Sequence, residues 1–245
     1  MTDKQQLVNE LNETLAHLTL TEGLKALRNA FDGRIVFSTS LGLEDQVISD
    51  GIFANNIDIE VFTLDTGRNF PETYTTLEET QRKYGRTIHA YYPQTQAVEQ
   101  YVTENGINAV YGSVELRKQC CQIRKIEPLN RALAGAQVWI TGLRAAQSAY
   151  RAGMGLFEYD EGRDLIKFQP VLNWSTQELW DYVAANEVPF NALHKAGFPS
   201  IGCAPCTRAI AEGEDERAGR WWWEQVDKKE CGLHFDNGKL QRTAA

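Results

Sequence analysis

The 245-residue sequence has no apolar run approaching the length of a membrane span, and its N-terminus, MTDKQQLVNELNETLAHL, lacks the basic, apolar and small-residue order of a signal peptide. These absences predict a cytoplasmic protein with no membrane partner. Cationic excess is missing too: 25 Lys and Arg face 33 Asp and Glu, giving a net charge of -8 and a sequence pI near 5.1. That balance excludes broad phosphate neutralisation, so nucleic acid is not an expected partner, although a few placed cations could still hold a small anion. No internal repeat, low-complexity linker or clear domain boundary interrupts the chain. The segment STSLGLED (38–45) also lacks the consecutive glycines and the Lys of a P-loop, so a triphosphate with Mg²⁺ is not the obvious ligand.

What is present suits one domain. Hydrophobic residues make up 42% of the chain, with six Trp and nine Tyr to fill a core. Residues 4–30 read as two helices, with Leu7, Leu11, Leu15 and Leu18 at helical spacing. Short β-branched and aromatic runs then alternate with helical stretches. RIVFSTS (34–40), IDIEVFTLD (57–65), TIHAYYP (87–93) and AQVWITGL (136–143) are predicted strands. LEDQVISDGIF and NFPETYTTLEETQRKYG (69–85) are predicted helices, the second with Pro71 near its first turn and Gly85 beyond its end.

This alternation predicts an α/β fold with a mostly parallel, doubly wound sheet, in which STS, LDTG and TGLR converge beyond the carboxyl ends of the strands. GLFEYDEGRDLIKF (155–168) predicts an antiparallel pair, and WSTQELWDYVAANEV (174–188) a helix whose Ser175 and Glu178 are spaced as a capping box. The expected organisation is a single domain over 1–245, with an α/β core at 30–190 and an irregular C-terminal segment at 191–245.

Five cysteines in a reducing compartment point to metal or catalysis rather than disulfides, and four acting together leave one over. Cys203 and Cys206 have C-x-x-C spacing, and Cys120 and Cys121 are adjacent. Thiolates suit both zinc and iron–sulfur clusters, so the spacing leaves a Cys₄ zinc site and a cluster both open. Cys231 sits between Lys228 and Lys229 on one side and His234 on the other, a setting that favours thiolate and marks it as a candidate nucleophile.

Ser38 and Ser40, with Thr39 between them, close a strand and open a helix, where hydroxyls and amides can cradle an anion. Asp65 and Thr66 in LDTGR are candidates for nucleotide contacts, with Gly67 and Arg68 beside them. Arg144, Arg151, Arg208, Arg217 and Arg220 bracket the same predicted cleft, and WWW (221–223) reads as an aromatic anchor for the Arg-bearing segment.

STSLGLED, LDTGRNFPETY, KQCCQIRKIEPL, TGLR, GCAPCTR, RAGRWWW and KKECGLH together resemble the assimilatory adenylyl-sulfate (APS) and phosphoadenylyl-sulfate (PAPS) reductases over about residues 30–235. The resemblance implies an adenine nucleotide α-hydrolase-like fold with a C-terminal catalytic tail. It also implies a [4Fe–4S] cluster on Cys120, Cys121, Cys203 and Cys206, and a nucleophile at Cys231. In such enzymes the thiolate attacks the sulfur of the sulfonucleotide, AMP leaves, and thioredoxin or glutaredoxin releases sulfite from the S-sulfocysteine, within sulfate assimilation and cysteine biosynthesis. Lys125, Arg144, Arg151, Arg217 and Arg220 resemble the cationic set that neutralises the substrate anions.

The cluster cysteines and Arg68 point to the APS branch, with PAPS or dual use as the alternative. A homo-oligomer is compatible with all of this. Two rival readings are an ATP-dependent adenylating or thiolating enzyme of the same fold and a non-catalytic Cys₄ zinc module.

Overall fold

A computed structural model describes residues 3–148 and 151–224. Two helices open the chain, α1 (Asp3–Leu15) and α2 (Leu20–Ala30), the second started by a capping box between Thr19 and Glu22. The core follows as β1 (Arg34–Thr39), α3 (Leu43–Phe53), β2 (Glu60–Leu64), α4 (Pro71–Tyr84) and β3 (His89–Tyr91). After α5 (Thr95–Asn105) come α6 (Val114–Cys121), a π-helical turn over Gln122–Ile126, and α7 (Glu127–Leu133). The sheet resumes with β4 (Ala136–Ile140), β5 (Phe157–Asp160) and β6 (Leu165–Phe168), and α8 (Thr176–Ala185) closes the regular part.

Local chemistry explains several boundaries. Pro71 occupies the first turn of α4, where its missing N–H costs nothing, and Gly85 ends that helix in the left-handed region at φ 60°. Ser175 and Glu178 form the predicted capping box of α8. The third predicted strand shrinks to three residues, His89–Tyr91, because β3 lies at the sheet edge with β2 as its single strand neighbour.

The six strands run in the order β3-β2-β1-β4-β6-β5. All neighbouring pairs are parallel except β5 with β6, the expected antiparallel pair. Side chains alternate across β1: Ile35 and Phe37 enter one apolar layer with α2, α3 and α8, and Val36 enters the other with Phe62, Leu129, Leu133 and Trp139. All eleven residues of α3 are buried, so its polar side chains must find partners inside. Asp50, for example, accepts hydrogen bonds from Tyr84 Oη and Tyr182 Oη, each at 2.7 Å.

β1 connects onward to β2 on one side and borders β4 on the other, so the switch point of the sheet lies beyond the ends of β1 and β4. Among the described residues, no helix is long and apolar enough to cross a membrane.

Candidate active site

A cavity of about 220 Å³ opens at that switch point. Ser38, Thr39 and Ser40 from the end of β1, Thr66 after β2, and Thr141 after β4 all line it. Hydrogen bonding divides the three β1 hydroxyls. Trp139 Nε1 donates to Ser38 Oγ at 2.8 Å and Leu41 N donates to Thr39 Oγ1 at 3.0 Å, so both oxygens accept from the protein and keep a proton to donate. Ser40 differs: its N and Oγ both donate to Asp45 Oδ2, each at 2.6 Å. The tight loop behind them holds Leu41 in the left-handed region, φ 61°, with its side chain buried in the core.

Asp45, in the first turn of α3, therefore closes over the predicted anion cradle. Its carboxyl is pushed up to about 7 by burial and by neighbouring Glu44, against the hydrogen bonds from Ser40. Gly142 faces it so closely that a Cβ there would meet Asp45 Oδ1 at 2.0 Å, so a larger residue would expel the carboxylate.

Four cations reach the cavity wall: Lys125, Arg151, Arg217 and Arg220. Arg220 is 7% exposed, donates to Ser200 Oγ at 3.3 Å and Ile201 O at 3.2 Å, and lies over the Trp221 ring. Gly202 leaves room for this guanidinium: a Cβ would come within 2.3 Å of Nη2. Arg151 Nη1 donates to Gln147 Oε1.

Other residues expected at the site shape it from behind. Asp65 accepts from Gly67 N at 2.8 Å and Tyr74 Oη at 2.9 Å, which fixes the turn after β2. Gly67 takes φ 70° there, with Arg124 Nη1 donating to the adjacent Thr66 O at 2.7 Å. Arg68 turns away from the cavity, donating through Nη2 to Asn108 Oδ1 at 2.9 Å and through Nη1 to Ile107 O. Arg144, expected on the cavity wall, is instead 1% exposed, and its guanidinium pairs with Glu44 at 2.8 Å and Glu216 at 2.7 Å. Arg208 pairs with Glu214 at the surface.

Cys120, Cys121, Cys203 and Cys206 line a second, smaller cavity of about 20 Å³ that abuts the first. Lys125 and Cys203 line both. Adjacent helical side chains diverge by about 100°, and the two cysteines at the end of α6 reach one cavity where the helix gives way to the wider π turn. That turn carries Arg124 and Lys125.

The C-x-x-C pair sits on one short turn with Pro205, closed by a hydrogen bond from Cys206 N to Cys203 O at 2.9 Å. Arg68 O accepts from Ala204 N at 2.8 Å, Thr66 Oγ1 lies 3.3 Å from Cys203 Sγ, and Tyr111 Oη donates to Pro205 O at 2.7 Å. Burial pushes the thiols of Cys120 and Cys206 up, the latter to about 11, with Lys125 among the charges opposing both shifts. A metal centre bound here would displace those protons.

Among the described residues, no group of three or more His, Cys, Asp or Glu is placed to hold a single metal ion. The four thiols border one cavity, a donor set that suits thiolate-bound metal centres, iron–sulfur clusters and zinc alike. Cys231 lies outside the described residues.

Among the cavity residues that went unmarked in the sequence are Asp45, Thr141 and His194. Asp45 and Thr141 fall within quoted motifs, but nothing local shows that Asp45 folds back onto Ser40 or that Thr141 Oγ1 is buried with no partner. His194 gives no sequence signal. Its Nδ1 faces Phe198 O at 2.9 Å, which makes Nδ1 the donor and leaves Nε2 a bare acceptor at the cavity wall.

A mostly parallel α/β sheet with a hydroxyl- and cation-lined cavity at its switch point places the chain in the adenine nucleotide α-hydrolase-like fold class. A solved FMN adenylyltransferase from Candida glabrata, the D181A mutant, shares this fold, with TM-score 0.51 and 14% identity over 92% of this chain and 83% of that one. The phosphoadenylyl-sulfate (PAPS) reductase from Candida auris, solved as a phosphate complex, is more similar: TM-score 0.71 and 26% identity over 83% of this chain and 97% of that one.

The family model of the phosphoadenosine phosphosulfate reductase domain matches residues 34–209, and the chain belongs to that family. Its relatives include the adenosine 5'-phosphosulfate reductase of Sinorhizobium fredii (strain USDA 257), 53% identical over 91% of this chain and 89% of that protein. The adenosine 5'-phosphosulfate reductase of Allochromatium vinosum is 51% identical over 82% and 78%.

Proposed function

We propose that this protein reduces adenylyl sulfate to sulfite and AMP. The observation that carries the reading is the contact of two cavities, one lined by four cations and the other by four cysteines, with Lys125 on the wall of both. The naming of relatives at about half identity as adenosine 5'-phosphosulfate reductases supports it.

In this reading Ser38, Thr39, Ser40 and Thr66 hold the nucleotide at the strand ends, while Arg151, Arg217, Arg220 and Lys125 neutralise the phosphate and sulfuryl oxygens. Asp65, Gly67, Arg68 and Arg144 hold that wall in shape. Cys231 thiolate attacks the sulfuryl sulfur, the S–O bond to phosphate breaks, AMP leaves with the electron pair, and S-sulfocysteine remains. A dithiol reductant of the thioredoxin or glutaredoxin class then attacks the cysteine sulfur, releases sulfite and is itself oxidised to a disulfide.

Cys120, Cys121, Cys203 and Cys206 would hold a [4Fe–4S] cluster, for which four thiols on one shared cavity are a suitable donor set. When bound, it supplies an electrostatic field at the cavity wall. Lys125, on the walls of both cavities, carries that influence to the substrate anion.

A reductant-dependent sulfite assay comparing adenylyl sulfate with phosphoadenylyl sulfate tests the reading. Turnover of adenylyl sulfate is the expected result; sulfite from phosphoadenylyl sulfate alone would move the protein to the other branch, and ATP–pyrophosphate exchange without sulfite would overturn both.

A further inference from the structure

Arg144 follows β4 and is one of the largest fully buried side chains of the fold. Its guanidinium is spent on protein groups: Nε donates to Glu44 Oε1 at 2.8 Å, Nη2 to Glu216 Oε1 at 2.7 Å, and Nη1 to Trp174 O at 3.4 Å. Two carboxylates on one buried guanidinium leave a net negative charge, an arrangement that stability alone does not favour. Burial and Glu44 accordingly push the Glu216 carboxyl up, against the pull of Arg144.

What the cluster of charges accomplishes is visible at its two ends. Glu216 directly precedes Arg217, and the turn they share is closed by hydrogen bonds: Asp215 Oδ1 accepts from Arg217 N at 2.8 Å, Asp215 O from Ala218 N at 2.8 Å, and Arg217 O from Arg220 N at 2.9 Å. The turn is also stitched to the C-x-x-C region, where Thr207 bridges Arg220 and Arg208 N donates to Gly219 O. At the other end Glu44 Oε1 accepts from Gln147 Nε2 at 2.9 Å, and Gln147 Oε1 accepts from both Arg144 N and Arg151 Nη1. One buried guanidinium therefore ties both cation-bearing segments to the first turn of α3.

We propose that Glu216 is a positioning residue for anion binding: by clasping Arg144 it seats the turn that presents Arg217 and Arg220 to the substrate's phosphate and sulfuryl groups. The proposal rests on the reading of those two arginines as anion-binding groups. Glu216 touches no substrate; it acts through a turn that cannot shift without moving Arg217, one peptide unit away.

The test is equilibrium binding of adenylyl sulfate and of uncharged adenosine to the full-length protein and to Glu216→Gln, Arg217→Ala, Arg220→Ala and the double variant Glu216→Gln/Arg217→Ala. Glu216→Gln is nearly isosteric and should weaken adenylyl sulfate about tenfold while leaving adenosine unchanged, since only the charged end is misplaced. Added to Arg217→Ala, it should cause no further loss beyond what Arg220 still contributes, so the two effects are strongly non-additive.

Unchanged adenylyl sulfate affinity in Glu216→Gln overturns the proposal. So does equal weakening of both ligands, which is what general loosening of the fold produces. If instead Arg217→Ala and Arg220→Ala bind adenylyl sulfate normally, the underlying reading of the cations fails and takes the proposal with it.

Discussion

Arg117 and Glu224 form a bidentate ion pair, Nε to Oε1 at 2.9 Å and Nη2 to Oε2 at 2.7 Å, with side chains only 1% and 3% exposed. Arg117 lies one turn before the paired cysteines on α6, and Glu224 is the last described residue before the segment containing Cys231. The guanidinium also stacks 4.8 Å from the Trp221 ring centroid. The point from which the Cys231 segment departs is thus clamped against the cysteine cavity.

Breaking that clamp should be costly, because a charge removed from one partner leaves the other desolvated. Glu224→Gln is expected to lose about 3–5 kcal/mol in urea unfolding. The paired replacement Arg117→Met/Glu224→Leu should recover most of the loss, and a double variant as unstable as the single one would contradict this account.

Asp45 predicts a pH dependence with a defined sign. Its carboxyl titrates at about 7 in the folded protein against an ordinary value of 3.8. The folded state binds this proton more tightly than the unfolded chain, so the contribution is complete below about pH 4 and lost as pH rises through 7. Asp45→Asn has no such titration. Its stability relative to the parent should improve between about pH 4 and 7 and level off above that, by an amount on the order of a few kcal/mol, in paired denaturation curves.

Cys121→Ser should lose iron and sulfite formation together, read by iron content and visible absorbance. Cys231→Ser should differ: it keeps its iron and its fold but forms no sulfite. Iron retained in the first variant, or turnover retained in the second, would reassign the thiols.

Lys125→Ala separates the two cavities that the lysine joins. Its iron content should match the parent's, while kcat/KM for adenylyl sulfate falls about 100-fold, the usual loss when a preorganised charge is removed from a transition state. An unchanged rate would take Lys125 out of the cationic set.

Much of this architecture was legible in the chain because it follows from short-range rules. Strand–helix alternation located β1, β2 and β4 and hence the rim where their ends meet, and Ser175 with Glu178 announced the start of α8. The extent of β3 was less legible, since TIHAYYP reads like its neighbours and only the edge of the sheet shortens it.

The charged residues divide along the same line. Residue type and spacing marked out Cys120, Cys121, Cys203, Cys206, Arg217 and Arg220, because thiols at these separations and a run of arginines are local facts of the sequence, whereas Lys125 was marked only by the family resemblance. Which cations reach the cavity wall was decided in three dimensions. Arg144 is cancelled by Glu44, a hundred residues away, and by Glu216, seventy-two away, and Arg68 turns to Asn108. Ion pairing depends on distance and desolvation rather than on chain separation, so the choice between a charge offered to substrate and one consumed by the fold belongs to tertiary structure alone.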